Sequence, residues 1–133
     1  FIESKSKALA IAKAASRKKA LEIVMIDIRK LPSISDYFVI ASGTSTVQVK
    51  AIADHIIKKM AQDRQRLWHV EGSNEGLWIL LDYGDVVGHI FYDETRRFYD
   101  LERLWADAPQ KRFRESRRRL KTHAKGEKRA RKN

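Results

Sequence analysis

The sequence predicts a layered α/β (α+β) domain, in which a mixed five-stranded sheet is flanked by helices in the order α-β-β-α-β-β-β-α. Three helical patterns and five strand patterns follow one another over residues 1–109, each too apolar to stay uncovered. The most apolar pattern is a hairpin over residues 78–91. A strongly basic segment, residues 110–133, follows the domain.

The N-terminal helix is followed by two strands. Residues 4–19 carry small apolar side chains at i, i+3, i+4 and i+7, which predicts a helix. Residues 21–28 are apolar and β-branched, which predicts a strand. Leu31-Pro32-Ser33 ends this strand, and residues 36–42 form the second.

The clearest amphipathic helix begins after the turn Gly43-Thr44-Ser45. Ser45 and Gln48 have the spacing of a capping box. Apolar residues then recur at i, i+3, i+4, i+7, i+8 and i+11 from Val49 to Met60, which predicts one apolar helix face. The third strand, residues 67–71, ends at Gly72-Ser73-Asn74.

The hairpin supplies the fourth and fifth strands, joined by the turn Asp82-Tyr83-Gly84-Asp85. Trp78 and Leu80 share one alternating face, and Ile79 and Leu81 share the other. A hairpin with one face in water alternates apolar and polar residues, so we expect helices or a partner to cover both faces. The apolar spacing over 98–105 predicts a short last helix, and Ala108-Pro109 closes the domain.

Size and composition favour one intracellular, soluble domain. The chain has 133 residues and no cysteine, which excludes disulfides and thiolate metal sites. It lacks an apolar run of roughly 20 residues, the length that a membrane helix requires. We expect a cytoplasmic protein without a membrane partner and leave an organellar origin open.

The positive charge is concentrated at the C-terminus. Of the formal net charge of +11, residues 111–133 carry +10, from twelve Lys or Arg and two Glu. This tail is helical or disordered. It is either a solvated tail or a contact for RNA phosphates, and we favour the RNA contact. The residues expected to make it are Lys111, Arg112, Arg114, Arg117, Arg118, Arg119 and Lys121.

No catalytic or metal site emerges from the sequence. The turn at Gly43 resembles a phosphate-binding helix start, but a nucleotidyltransferase also needs two carboxylates one residue apart, and Asp54 is followed at position 56 by Ile56. Asp82 and Asp85 flank a turn, where aspartate is favoured for turn geometry alone. The four histidines share no metal-ligand spacing, so we expect no cofactor.

Several blocks together resemble the ribosomal silencing factor family, RsfS or Iojap. They are SDYFVIASGTS (35–45), ADHI (53–56), VEG (70–72) and the run WILLDYGDVVGHIF…ETRRFYDLERLW (78–105). Their order and spacing agree with the family from about Lys7 to Trp105. The basic tail lies beyond the last of these blocks.

The resemblance implies a nucleotidyltransferase-like fold without the catalytic carboxylates, and no enzymatic activity. It implies binding to the large ribosomal subunit through ribosomal protein L-fourteen, which sterically blocks joining of the small subunit and represses translation. Organellar relatives assist large-subunit assembly, and several members are dimeric when free. The alternatives are an assembly factor, an RNA-binding protein acting through the tail and, least favoured, a nucleotidyltransferase-like enzyme.

The residues expected to contact the ribosomal protein lie in the hairpin, its turn and the following helix. Acidic side chains suit a basic partner. Trp and Tyr suit an apolar anchor, although they are equally expected in the core of a small domain. The set is Trp78, Asp82, Tyr83, Asp85, Tyr99, Glu102, Leu104 and Trp105.

Gly88 departs from the resemblance, because the family usually has a branched aliphatic residue at this position. A glycine within a strand weakens it, or marks a bulge or a close approach. The sequence therefore leaves the geometry of the hairpin open at Gly88.

Overall fold

The structure, a computed structural model, describes residues 3–114, and the description below refers to that part of the chain. Six strands form one mixed sheet in the order β3-β4-β5-β2-β1-β6. Only the central pair of β2 and β5 is parallel, and the other four pairs are antiparallel. The strands are β1 (Leu21–Asp27), β2 (Tyr37–Gly43), β3 (His69–Glu71), β4 (Trp78–Asp82), β5 (Val86–Tyr92) and β6 (Gln110–Arg112).

The described chain contains four helices: α1 (Ser4–Arg17), α2 (Thr46–Gln62), α3 (Asp93–Tyr99) and α4 (Leu101–Leu104). The two long helices, α1 and α2, pack on one face of the sheet, whereas α3 and α4 lie on the other. The layered mixed α/β fold predicted from the sequence is confirmed. No helix within residues 3–114 is long and apolar enough to cross a membrane.

The face under α1 and α2 holds the larger core. Alternate strand residues such as Val39, Leu81 and Ile90 pack against the apolar stripes of the helices. Burying such side chains contributes about 1.5–3 kcal/mol each relative to exposure. The buried helix residues are Ala8, Ile11, Ala12, Ala14 and Ala15 of α1, and Val49, Ile52, Ala53, Ile56 and Met60 of α2.

The opposite face is only partly covered. Ile26, Ile40 and Phe91 are fully buried there, beneath Leu101 and Ala108. The short helices α3 and α4 are much smaller than α1 and α2, so they cover less of this face. Side chains toward β4 consequently stay half exposed.

Both long helices end without glycine. At the end of α1, Ala20 N donates to Ala15 O at 3.1 Å, while Lys19 has φ 61°. At the end of α2, Gln65 N donates to Met60 O at 2.8 Å, while Arg64 has φ 59°. These are Schellman motifs whose left-handed position usually carries glycine.

The last elements differ from the sequence prediction. Asp100, in the left-handed conformation at φ 46°, splits the predicted single helix into α3 and α4. The sixth strand, β6, begins at Gln110 and pairs with Val24–Ile26 of β1, so the sheet continues past residue 109. A polar strand of three residues has no periodicity of its own, and it is a strand here because β1 offers an edge.

Gly88 does not distort the hairpin. It pairs in register with Leu81 of β4 and with Val39 of β2, and both ladders are regular around it. A Cβ added at this position would lie 3.6 Å from Leu81 Cβ and 3.7 Å from Ile11 Cγ2, which is ordinary contact. The sheet therefore has room for one methyl group at Gly88.

Candidate protein-binding surface

A continuous row of rings crosses the less covered face of the sheet. Tyr99 lies 4.9 Å from Trp78 between ring centroids, and Trp78 lies 5.9 Å from His89. His89 meets Phe38 edge-on at 4.8 Å, and Phe38 meets Trp105 edge-on at 5.2 Å. We call these five residues the aromatic face, together with Leu80, which pairs with His89, and Leu104, which precedes Trp105 in the chain.

The alternation of the strands brings these residues together. Leu80 of β4 pairs with His89 of β5, and His89 pairs with Ile40 of β2, so even-numbered β4 and β2 residues share this face with odd-numbered β5 residues. Trp78 also stacks on its cross-strand partner Phe91 at 4.8 Å. Such aromatic pairs contribute about 0.5–1.5 kcal/mol beyond the area that they bury.

A hydrogen bond fixes the centre of the row. Trp78 Nε1 donates to His89 Nδ1 at 3.1 Å, which places the proton of the neutral imidazole on Nε2. The His89 side chain is buried, and burial lowers its pKa to about 4. His89 Nε2 has no hydrogen-bond partner within the described chain. His89 is therefore a neutral residue that orients the Trp78 ring.

The outer part of the aromatic face is open to solvent. Tyr99 is 50% exposed and Leu104 is 75% exposed, although both are large apolar side chains. Trp78, Leu80 and Trp105 are half-buried. Contiguous exposed apolar surface rimmed by polar groups is typical of a protein–protein contact.

The helices beside this surface are held by a buried arginine. Arg96 of α3 is 6% exposed and donates to Ser42 Oγ of β2 at 2.8 Å. It also forms an ion pair with Glu102 of α4 at 3.2 Å. Glu102, which the sequence assigns to the partner contact, thus stabilises the bend between α3 and α4 and keeps part of its carboxylate exposed.

The three predicted contact residues of the hairpin turn lie in different surroundings. Asp82 accepts a hydrogen bond from Gly84 N at 2.7 Å and remains half exposed beside the aromatic face. Asp85 forms an ion pair with Lys7 of α1 at 2.7 Å. Tyr83 is 2% exposed and packs in the core under α1 and α2, where burial raises its pKa to about 12. The structure therefore does not group Tyr83 and Asp85 with the others.

Some surface residues were not predicted from the sequence. Phe38 was assigned to the second strand and Phe98 to the last helix, without a place on a surface. Phe98 is 80% exposed beside Tyr99. Trp68 is 69% exposed and lies against Gly84 at the turn. The alternation of β2 could have identified Phe38, because it shares a face with Ile40.

The two sides of the sheet carry opposite charge. Residues 69–109, which include the hairpin, α3 and α4, hold three arginines and nine carboxylates, a formal charge of −6. Residues 3–19 and 46–63, which include α1 and α2, hold nine Lys or Arg and three carboxylates, a formal charge of +6. Apart from Phe38, the residues of the aromatic face belong to this acidic segment, which we call the acidic side.

The described residues form no group of three or more potential metal ligands. Asp54 is exposed on α2, while Ile56 is fully buried in the core. At the turn before α2, Ser45 Oγ accepts from Gln48 N at 3.1 Å, and Gln48 Oε1 accepts from Thr44 N at 2.7 Å. These side chains cap the helix, as the sequence predicts for Ser45.

The tail residues fall partly outside the described chain. Lys111, Arg112 and Arg114 are exposed on and after β6. The RNA contact predicted for them remains a prediction. Arg117, Arg118, Arg119 and Lys121 lie outside the described residues.

The family model described as "Ribosomal silencing factor during starvation" matches residues 2–133 of the chain. The chain belongs to the ribosomal silencing factor family. This match extends through the basic tail, which the sequence motifs alone had placed beyond the family's end. Membership confirms the resemblance drawn from the blocks between Ser35 and Trp105.

Individual relatives of this ribosomal silencing factor family agree with the match. The ribosomal silencing factor RsfS of Halalkalibacterium halodurans is 42% identical over 97 residues, covering 72% of this chain and 82% of that protein. The mouse protein named "Mitochondrial assembly of ribosomal large subunit protein 1" is 34% identical over 92 residues, covering 67% of this chain and 40% of that protein. A crystal structure of a Chromobacterium violaceum protein superposes with TM-score 0.77 at 32% identity, covering 79% of this chain and 88% of that one.

Proposed function

We propose that the aromatic face binds ribosomal protein L-fourteen on the large ribosomal subunit, and that the bound protein sterically blocks joining of the small subunit. Translation is then repressed without any chemical step. Membership of the silencing-factor family supports a role at the large subunit. The observation that carries the proposal is the half-open row of rings from Tyr99 to Trp105.

Charge complementarity supports a basic partner. Ribosomal proteins are basic, and the aromatic face lies on the side of the sheet with a formal charge of −6. Asp82 shares the β4 face of Trp78 and Leu80, and Glu102 lies on α4. Both keep part of their carboxylates in solvent. Exposed charges of this kind raise the association rate and the selectivity for a partner more than the affinity. The affinity comes mainly from the apolar contact of Trp78 and Tyr99.

The sharpest test compares two aliphatic residues of equal exposure. Leu104 on the aromatic face and Val47 on α2 are both 75% exposed, so neither substitution removes core packing. Leu104→Arg should weaken co-sedimentation with isolated large subunits by about 10-fold or more, since it adds a cation where a basic partner docks. Val47→Arg adds the same charge on the other side of the sheet and should bind like the original chain.

A subunit-joining assay completes the test. The original chain and Val47→Arg should block joining, while Leu104→Arg, Trp78→Ala and Asp82→Lys should block it less. Circular dichroism checks that Trp78→Ala stays folded, because this variant also removes the bond to His89. Full blocking by Leu104→Arg and Trp78→Ala would show that the contact lies elsewhere.

A role in large-subunit assembly is the second candidate, supported by the name of the mouse relative. It predicts binding to immature large subunits without inhibition of joining between mature subunits. An RNA-binding protein acting through the tail would instead bind naked RNA after loss of Trp78. A homodimer of the free protein stays a prediction, which analytical ultracentrifugation tests.

A further inference from the structure

The side of the domain opposite the aromatic face is basic. The segments that form α1 and α2 hold nine Lys or Arg against three carboxylates. In the part of the chain that the structure describes, Lys7 alone among these nine lies within 4.0 Å of a carboxylate. We call the exposed cations Lys13, Arg17, Lys18, Lys58 and Lys59 the basic helix face.

Three of these cations line a groove. A depression of about 560 Å³ lies along α1 and α2, and Lys13, Arg17 and Lys59 line it together with one acid, Asp63. Its apolar part includes the half-buried Phe113. The cations also act on His55, whose pKa is lowered first by burial and then by neighbouring lysines.

We propose that the basic helix face binds the phosphate backbone of RNA. Unpaired cations around a groove concentrate anions, and each phosphate contact releases bound counterions. Neither α1 nor α2 contains Phe, Trp or Tyr, so within residues 3–114 Phe113 is the only one of these rings that lines the groove, and one half-buried ring is no platform for successive bases. The contact reads the backbone of helical RNA and not its sequence.

The last described residues lie on the same side. Phe113 lines the groove, and the exposed Arg114 follows it directly in the chain. In the sequence, nine further Lys or Arg come after Arg114. The sheet separates this side from the aromatic face, so one domain can hold a basic protein and an RNA backbone at the same time.

The test is fluorescence anisotropy of a labelled RNA duplex of about 20 base pairs with the full chain, at salt concentrations between about 50 and 200 mM. The test variant carries Lys13→Gln, Arg17→Gln and Lys59→Gln. A control variant removes the same charge away from the groove. It carries Lys30→Gln in the loop after β1, together with Arg97→Gln and Arg103→Gln on the acidic side. Both variants keep the tail, so its contribution cancels.

The groove variant should bind at least about 10-fold more weakly at low salt, and its slope of log K against log salt should fall by about three. The control variant should change the slope by less than about one. Equal losses in the two variants would overturn the proposal, because the effect would then reflect net charge alone. A difference seen only with phosphatidylserine vesicles, and not with RNA, would also overturn it.

This outcome is separate from that of the proposed function. Trp78→Ala should leave RNA binding unchanged, since Trp78 lies on the other face of the sheet. The assay contains no ribosomal protein, so its failure would leave the role of the aromatic face unaffected.

Discussion

Lowering the pH should destabilise the domain through His89. The imidazole is buried among Trp78, Phe38 and Phe91 and accepts the Trp78 N–H, so it is neutral in the folded chain. Protonation would place a charge in an apolar site and remove the acceptor of that hydrogen bond. Burial accordingly lowers the pKa of His89 from 6.5 to about 4.

The sign and size of the effect follow from these two values. Between pH 6.5 and about 4, the unfolded chain binds a proton at His89 that the folded chain does not bind. Stability therefore rises with pH over this range. The contribution is fully present above pH 6.5 and is lost as the pH falls to about 4, in total about 3 kcal/mol.

Urea unfolding followed by tryptophan fluorescence at pH 7.5, 6.5, 5.5 and 4.5 measures this contribution. Carboxylates titrate in every variant and change its stability with pH. The informative quantity is therefore the difference in the free energy of unfolding between the original chain and His89→Gln. This difference in the free energy of unfolding should shrink by about 2–3 kcal/mol between pH 7.5 and 4.5. His69→Gln, which removes an exposed imidazole, serves as the matched control.

A difference that stays constant within about 0.5 kcal/mol over the whole pH range would refute the argument. It would mean that His89 binds its proton equally well in both states, and hence that the folded site is hydrated. His55→Gln provides a second reference. The pKa of His55 is also lowered by burial, so this variant should lose a separate part of the acid sensitivity.

Four further predictions concern the backbone and one ion pair. Gly88→Ala should raise the free energy of unfolding by about 0.5–1 kcal/mol, because the methyl group fits and alanine loses less chain entropy; urea titration measures it. Gly72→Ala should lower it by about 2–3 kcal/mol, since the added Cβ would meet Trp78 O at a left-handed φ of 79°. Arg64→Gly should raise the melting temperature by several degrees. Arg64 has a left-handed backbone conformation, which costs a non-glycine residue about 1 kcal/mol and which glycine adopts without that strain. A double-mutant cycle with Lys7→Gln and Asp85→Asn should give a coupling of about 1 kcal/mol or less, as for other partly exposed pairs.

Each of the three backbone predictions has an outcome that contradicts it. A loss of stability in Gly88→Ala would mean that Ile11 and Leu81 leave less space than the 3.6–3.7 Å distances indicate. Tolerance of Gly72→Ala would mean that the loop before β4 shifts freely. A destabilised Arg64→Gly would show that α2 does not end in a left-handed residue.

The sequence predicts those helices and strands in which apolar residues recur with the period of the element. α1 and α2 were located by their apolar stripes, and the β4–β5 hairpin by apolar alternation, because these patterns decide which side chains reach the core. The edge strand β6 and the break at Asp100 could not be predicted. β6 is polar and short and depends on β1, while a left-handed aspartate has no unique sequence signal.

The candidate surface was predicted less completely than the fold. Trp78, Tyr99 and Trp105 lie on one face. The rings of Phe38 in β2 and His89 in β5 lie between Trp78 and Trp105 and link them by ring contacts. Tyr83 was grouped by its place in the motif, but it joins the core on the opposite face of the sheet. Asp85 was treated as free for a partner, because its pairing with Lys7 spans 78 residues of sequence.

The parallel pairing at the centre of the sheet has a consequence during synthesis. Every residue of β2 pairs with the residue 49 positions later in β5, as Tyr37 does with Val86. Until the chain reaches β5, one edge of the apolar strand YFVIASG has no neighbour, although β1 already occupies the other. Nascent or truncated chains that stop before Val86 therefore expose a strand edge that other chains can pair with. Such fragments should aggregate, even though they contain both long helices.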